Sequence, residues 1–311
     1  MPDQPLSIIL DCDPGHDDAI AIVVAARHTE VVGITTVAGN APLSATTRNA
    51  IIMRDLLDMS APVHSGADRP FIRPPRHAEY VHGKSGMDGA DLPEPSGPPA
   101  STDAVGYIID TCRAQEGIWL VPTGPLTNIA LALRAAPDLA ARIAGISLMG
   151  GGTFGNSTAA AEFNLWCDPE AADVVFSYGG PLIMAGLDLT HQFQALPPRI
   201  EMVRALPGRL ADVLAGLLDF FSGTYRSRHY GIGGAAVHDP CAVMALTHPD
   251  LFTRRPAHVE IETQGRRTAG MTVIDQRDLR EVPSPNCEWL THIHADAAWD
   301  VVVEAVQHFS H

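Results

Sequence analysis

Apolar stretches of strand length alternate with helix-like stretches along most of this chain, and few folds accept that order. Ser7 to Leu10 precedes a helical run from Asp17 to Arg27, Val31 to Val37 precedes Leu43 to Leu57, and Ile118 to Val121 precedes Leu126 to Ala136. Ile143 to Met149 and Leu182 to Ala185 continue the series, with helices expected over Pro169 to Tyr178, Leu210 to Tyr225 and Asp296 to Phe309. Strands that are apolar almost throughout must be covered on both faces. The pattern therefore predicts an α/β protein: a single open, mostly parallel, Rossmann-like sheet with helices on both faces, occupying 1–311 as one domain. In such a sheet ligands bind beyond the carboxyl ends of the strands, so the residues that follow each strand carry the functional information.

After the first strand comes Asp11-Cys12-Asp13-Pro14-Gly15-His16-Asp17-Asp18, four carboxylates within eight residues. Like charges this close repel and resist joint desolvation, so a cation, a polyhydroxyl ligand or open water has to absorb the cost. Pro14-Gly15 predicts a tight turn, which would let Asp13 and Asp18 converge from two sides of one loop. Oxygen ligands without a nearby Cys or His pair suit Ca²⁺ or Mg²⁺ rather than zinc. A competing use is capping, since Asp17 stands where a helix N-cap would be expected. An EF-hand does not fit, because its loop would have to run through Ile20-Ala21-Ile22.

The other strands end in Gly39-Asn40, Thr123-Gly124, Gly150-Gly151-Gly152 and Asp188, all at the same predicted sheet edge. Taken singly, each is an ordinary turn. Further on, Glu162-Phe163-Asn164 suggests two hydrogen-bonding groups pointing the same way while Phe163 turns into the core, a pair able to grip vicinal hydroxyls. Asp168 and Pro169 read as the N-cap and first residue of the next helix. His238-Asp239-Pro240 precedes the apolar run Cys241 to Leu246, and Asp239 is either the cap of that helix or a third carboxylate for the cation. The segment 64–101, rich in Pro and Gly and containing His82-Gly83, is expected to be a long loop. A second segment, Ser222 to Ala236, contains Tyr225, Arg228 and Tyr230, and both segments could close over a ligand.

A net charge of −15 argues against nucleic acid or an anionic membrane as partner. Five scattered cysteines, Cys12, Cys112, Cys167, Cys241 and Cys287, fit reduced structural thiols. The N-terminal residues lack a basic and apolar leader, and no stretch has the length of a membrane span, which together suggest a cytoplasmic protein.

The ordered motifs Asp11 to Ala19, Thr35 to Asn40, His82-Gly83, Thr123 to Asn128, Met149 to Gly151, Glu162 to Asn164 and Val237 to Pro240 resemble those of the inosine-uridine-preferring nucleoside hydrolases over nearly the whole length. The resemblance implies hydrolysis of the N-glycosidic bond of purine or pyrimidine ribonucleosides to ribose and free base. It implies a Ca²⁺ ion held by Asp13, Asp18, Asp239 and the carbonyl of Thr123, and a Ca²⁺-bound water activated by Asp13. Asp17, Asn40, Asn156, Glu162 and Asn164 would hold the sugar, with Met149 along its face. His238 would assist the leaving base as a catalytic residue, and His82 would line the substrate pocket. Keeping both histidines is similar to the nonspecific or pyrimidine-leaning members. A homodimer or homotetramer follows by family analogy alone. Cleavage builds positive charge on the ribose ring, which a pocket of carboxylates and amides stabilises more than it stabilises the neutral substrate.

Two other classes compete. A haloacid-dehalogenase-like phosphatase also begins with Asp-x-Asp after its first strand, but here Pro14-Gly15 follows and no phosphate-binding Lys is evident. A noncatalytic calcium-dependent nucleoside or sugar binder would keep the ion ligands without needing Asp13 and His238 together.

Overall fold

The structure is a computed structural model that describes residues 5–228, 233–277 and 283–310. Its centre is an eight-stranded sheet. Six strands, β1 (Ser7–Cys12), β2 (Glu30–Thr36), β3 (Val63–Ser65), β4 (Trp119–Pro122), β5 (Gly145–Met149) and β6 (Leu182–Ala185), are arranged in the order β3-β2-β1-β4-β5-β6. All are parallel, as the unbroken apolar runs required. β3 is not anticipated from the sequence, and neither are the two strands that extend this sheet beyond β6: Cys287–Ile293 runs parallel to β6, and Phe252–Ala257 pairs antiparallel with Cys287–Ile293 at the edge. Polar and charged residues interrupt both of these last two, so neither forms an apolar run of the kind that marks β1.

The alternation within β1 shows why both faces are covered. Ile8, Leu10 and Cys12 pack on one face against helix α1 (His16–His28) and the helices Pro240–Thr247 and Ala295–His308. Ile9 packs on the other against the helices Ala104–Ala114, Thr127–Ala135 and Pro169–Phe176. Successive side chains of a strand point to opposite faces, so a strand between two helical layers has no position left for an exposed polar group.

Several details differ from the sequence reading. Helix α1 starts at His16 with Gly15 as N-cap, so Asp17 is not the cap; the Asp18 carboxylate accepts the Gly15 N–H at 2.9 Å instead. Segment 64–101 is mostly loop, but it contains a one-turn helix, Glu79–His82, that carries His82. Residues 162–164 are not extended. Phe163–Cys167 is a short helix capped by the Glu162 side chain, which accepts the Asn164 and Leu165 N–H groups. Asp168 and Pro169 begin the next helix as expected.

Asp168 does more than cap. One carboxylate oxygen accepts the Ala171 N–H at 3.1 Å; the other accepts the Thr127 hydroxyl at 2.7 Å and the Phe71 N–H at 3.0 Å. The side chain is fully buried, so its loss would strand two donors besides removing a cap. Asp168→Ala is expected to lower unfolding free energy by about 2–4 kcal/mol. Urea denaturation measures this, and an unchanged midpoint would refute the assignment.

Candidate functional site

Strand order reverses at β1: the chain moves to β2 on one side and later to β4 on the other. Such a switch point opens a crevice at the strand ends, and Asp13 stands in it. The loops from both neighbours close on its carboxylate. A Cβ on Gly39, after β2, or on Gly124, after β4, would collide with the Asp13 carboxylate, so both positions need a residue without a side chain. The Asn40 N–H donates to Asp13 Oδ2 at 2.6 Å, while Asp13 Oδ1 is buried with no hydrogen-bond partner among the described residues.

Asp18 is held from three strands. It accepts the Gly15 N–H from its own loop, the Asn40 side-chain amide at 3.2 Å from the β2 loop and the Thr123 hydroxyl at 2.8 Å from the β4 end. Asp17, on the same helical turn, accepts the His238 N–H at 3.2 Å. Asp239 occupies the N-cap position of the helix Pro240–Thr247, yet its carboxylate makes no capping bond, so the capping alternative does not account for it. Carboxylate oxygens of Asp17, Asp18 and Asp239 lie within 4.8 Å of one another and can hold a metal ion. The tightest group thus contains Asp17, with Asp13 beside it on the β1 loop.

Asp11, Asp13, Asp17, Asp18 and Asp239 are all at most 4% exposed, and among the described residues no Lys or Arg pairs with them. Burying one carboxylate costs several kcal/mol, whereas each hydrogen bond to a charged group returns about 1.5–3 kcal/mol. Asp13, with one such bond from its Oδ2, does not break even. Burial, and then the charge of Asp18, pushes its carboxyl well above the ordinary range; the same causes lift Asp17 to about 8. A cation among these groups would reverse that penalty, and the all-oxygen donor set suits a hard ion. Asp11 serves differently: it accepts the Thr35 hydroxyl at 2.6 Å and the Asn128 amide at 2.8 Å, and its backbone carbonyl accepts the Thr123 N–H. It therefore ties the ends of β1, β2 and β4 together.

The remaining predicted residues line one pocket above the acids: Asn40, His82, Met149, Asn156, Glu162, Asn164 and His238, together with Asp17, Thr123 and Asp239. Asn164 donates to the Thr123 carbonyl at 2.7 Å and to the Met149 carbonyl at 3.2 Å, fixing both strand ends. Glu162 accepts three backbone N–H groups, including Gly151 at 3.1 Å, and burial lifts it to about 7. Phe163 lines the pocket rather than turning wholly into the core, because the helix begun by Glu162 rotates it there.

Histidines form the far wall. His16 Nε2 faces the Asp88 carbonyl at 2.8 Å and must be protonated to bond it. Burial drives His16 down to about 4, so the ring is neutral near pH 7, and its Nδ1 lies 2.9 Å from His82 Nδ1, to which the His16 backbone N–H also donates at 3.4 Å. That leaves His82 Nε2 without a hydrogen-bond partner among the described residues. His238 has both nitrogens engaged, Nδ1 with the Thr190 hydroxyl at 2.7 Å and Nε2 with the Tyr225 hydroxyl at 2.9 Å. Burial, followed by the charge of His191, holds it down to about 3.

Sequence reasoning missed His191, Phe163 as a wall and Phe221, and gave no role to Tyr225. The last stands in the segment marked as unusual, whereas His191 follows Asp188 by three residues with no motif around it. The helix Arg209–Arg228 ends at Arg228, and Tyr230 lies outside the described residues.

Comparisons with known proteins agree with this geometry. The family model described as inosine-uridine preferring nucleoside hydrolase matches residues 8–300. The chain is 45% identical over 304 residues to the pyrimidine-specific ribonucleoside hydrolase RihA of Shewanella sp. (strain MR-7), covering 96% of this chain and 95% of that protein. To the protein of the same name from Salmonella typhimurium it is 43% identical over 310 residues, covering 98% and 99%. Among solved structures, the purine-preferring ribonucleoside hydrolase from Gardnerella vaginalis superposes with a TM-score of 0.91 at 31% identity, covering 98% of this chain and 99% of that one. With matches of this extent, and with the acids, amides and histidines converging at the strand ends, the chain belongs to the inosine-uridine-preferring nucleoside hydrolases and is an N-glycosyl hydrolase of ribonucleosides.

Proposed function

We propose that this enzyme hydrolyses pyrimidine ribonucleosides, uridine and cytidine, with a Ca²⁺ ion in the acid cluster and Asp13 as the base that takes a proton from the attacking water. The observation that carries the mechanism is Asp13 Oδ1: buried, ionisable and, among the described residues, without a partner at the centre of the site. The pyrimidine preference rests on the name of the relatives at 43–45% identity. Asp18, Asp239, Asp13 and the Thr123 carbonyl would hold the ion, leaving Asp17, whose Oδ2 already accepts from His238, for a sugar hydroxyl. When bound, such an ion would grip the ribose diol and lower the pKa of nearby water.

Asp13 Oδ1 accepts the water proton as the oxygen attacks the anomeric carbon, and the bond to the base nitrogen breaks. Asn40, Asn156, Glu162 and Asn164 orient the ribose, with Met149 along its face, and the negative charge around them stabilises the cationic ring of the transition state. The departing base receives its proton through the Tyr225–His238 pair, in which either the phenol or the imidazole is within one hydrogen bond of the other. His82, whose ring burial keeps neutral, orients substrate through its open Nε2. By family likeness the enzyme is a homodimer or homotetramer.

Three outcomes test this reading. Asp13→Asn is expected to reduce kcat on uridine by about 10²–10⁴-fold while circular dichroism stays native; full activity would remove the proposed base. Replacing His238 with Ala or Tyr225 with Phe should depress turnover of uridine at least tenfold more than that of p-nitrophenyl riboside, whose leaving group needs no proton. Equal losses on the two substrates would speak against proton delivery by this pair. For the ion, Ca²⁺ at about 100 times its Kd should add about 2.7 kcal/mol of stability, read as a rise in Tm that chelation reverses and Asp239→Asn largely abolishes. A Tm indifferent to Ca²⁺ would rule that ion out.

A further inference from the structure

One histidine on the pocket wall is used neither by the acids nor by the proton-donating pair. His191 follows the helical turn Leu187–Thr190 after β6, and its backbone is fixed on both sides: its N–H donates to the Leu187 carbonyl, and its carbonyl accepts from Gln194 Nε2 at 2.7 Å. The ring is half-buried, tilted against His238 with centroids 5.8 Å apart and edge-on to Phe154 at 5.2 Å. Among the described residues neither ring nitrogen has a hydrogen-bond partner. His238 has both nitrogens occupied and His82 has one, so His191 is the pocket histidine with the most unspent hydrogen-bonding capacity.

Its position is braced. Asp188, in the same turn, accepts the Thr153 N–H at 2.9 Å and also bonds the Thr153 hydroxyl, which fastens the loop carrying Phe154 to the turn carrying His191. Packing alone would be served as well by an apolar side chain. A neutral imidazole offers one donor and one acceptor on diverging nitrogens, so a single exposed nitrogen can meet a carbonyl or an N–H on the edge of a nucleobase.

We propose that His191 is a specificity-determining residue, whose open imidazole edge hydrogen-bonds the polar edge of the departing base while Phe154 holds the ring in place. This rests on the hydrolase reading of the same site and adds a base-recognition contact to it. A site built to bond a polar edge discriminates strongly against a leaving group that lacks it.

The test compares kcat/KM for uridine and for p-nitrophenyl riboside, which has no carbonyl and N–H pair, in the wild type, His191→Leu and His191→Gln. His191→Leu is expected to lose at least tenfold more on uridine than on p-nitrophenyl riboside, and His191→Gln to recover most of that difference. Parallel losses on both substrates, no loss on uridine, or a Gln variant as impaired as Leu would each overturn the assignment. The wild-type ratio of uridine to inosine turnover tests the pyrimidine preference independently, since the effect at His191 is read as variant over wild type. Turnover of p-nitrophenyl riboside shows that each variant is folded and that the hydrolytic machinery works.

Discussion

Five carboxylates buried together without a single basic partner among the described residues set the terms for the rest of this molecule. Their mutual repulsion and lost hydration would favour opening the loops that hold them. The fold resists by surrounding them with backbone and amide donors: Gly15 and Asn40 on Asp18, Asn40 on Asp13, and His238 on Asp17. At about 1.5–3 kcal/mol per bond these donors offset only part of the cost, which makes the cluster a receptor waiting for positive charge. Both a divalent ion and a ribose ring acquiring cationic character answer that description. Stability and chemistry are therefore aspects of one electrostatic arrangement.

Burial acts on the opposite wall with opposite sign. Desolvation that raises the acids lowers His16, His82 and His238, so the site near neutral pH combines anionic or proton-sharing acids with neutral imidazoles. Neutral rings stack closely: His16 lies nearly parallel to Phe220 and Phe221, with centroids 5.3 and 5.1 Å away. A charged imidazole there would be desolvated beside another histidine. Holding these rings neutral leaves each with one donor and one acceptor nitrogen.

The residues at strand ends could be read from the chain because parallel α/β geometry sends every strand terminus to the same edge. Asp13, Gly39-Asn40 and Thr123-Gly124 come within four residues of the ends of β1, β2 and β4, and Met149 is the last residue of β5, so finding the strands located them. Asp239 was ambiguous for a local reason: Asp before Pro at a helix start has an ordinary capping use, and only three-dimensional placement shows that its carboxylate is spent elsewhere. Glu162 was misread as part of an extended pair because a one-turn helix is too short to display a period. His191 had no such signal, since its importance lies in Phe154 and His238, 37 and 47 residues away along the chain, and in nothing beside it. The strands Cys287–Ile293 and Phe252–Ala257 escaped notice because polar and charged residues interrupt their apolar runs.

In the proposed binding mode the pocket has a sugar side and a base side of different construction. Its sugar side is built from strand-end loops locked to one another through Asp11, Asn128 and Asn164, where a Cβ on Gly39 or Gly124 already collides with Asp13. Its base side comes from the helix Arg209–Arg228, the turn at Leu187–Thr190 and the loop carrying Phe154, which meet through single side-chain contacts such as Tyr225 to His238 and Asp188 to Thr153. Substitution on the base side changes one contact; substitution on the sugar side disturbs several strands at once. That asymmetry would allow a purine-preferring enzyme to superpose on this chain with a TM-score of 0.91 while relatives at 45% identity are named pyrimidine-specific. In the proposed mode glycosidic cleavage would be tied to the sheet, and the choice of base left to the side chains above it.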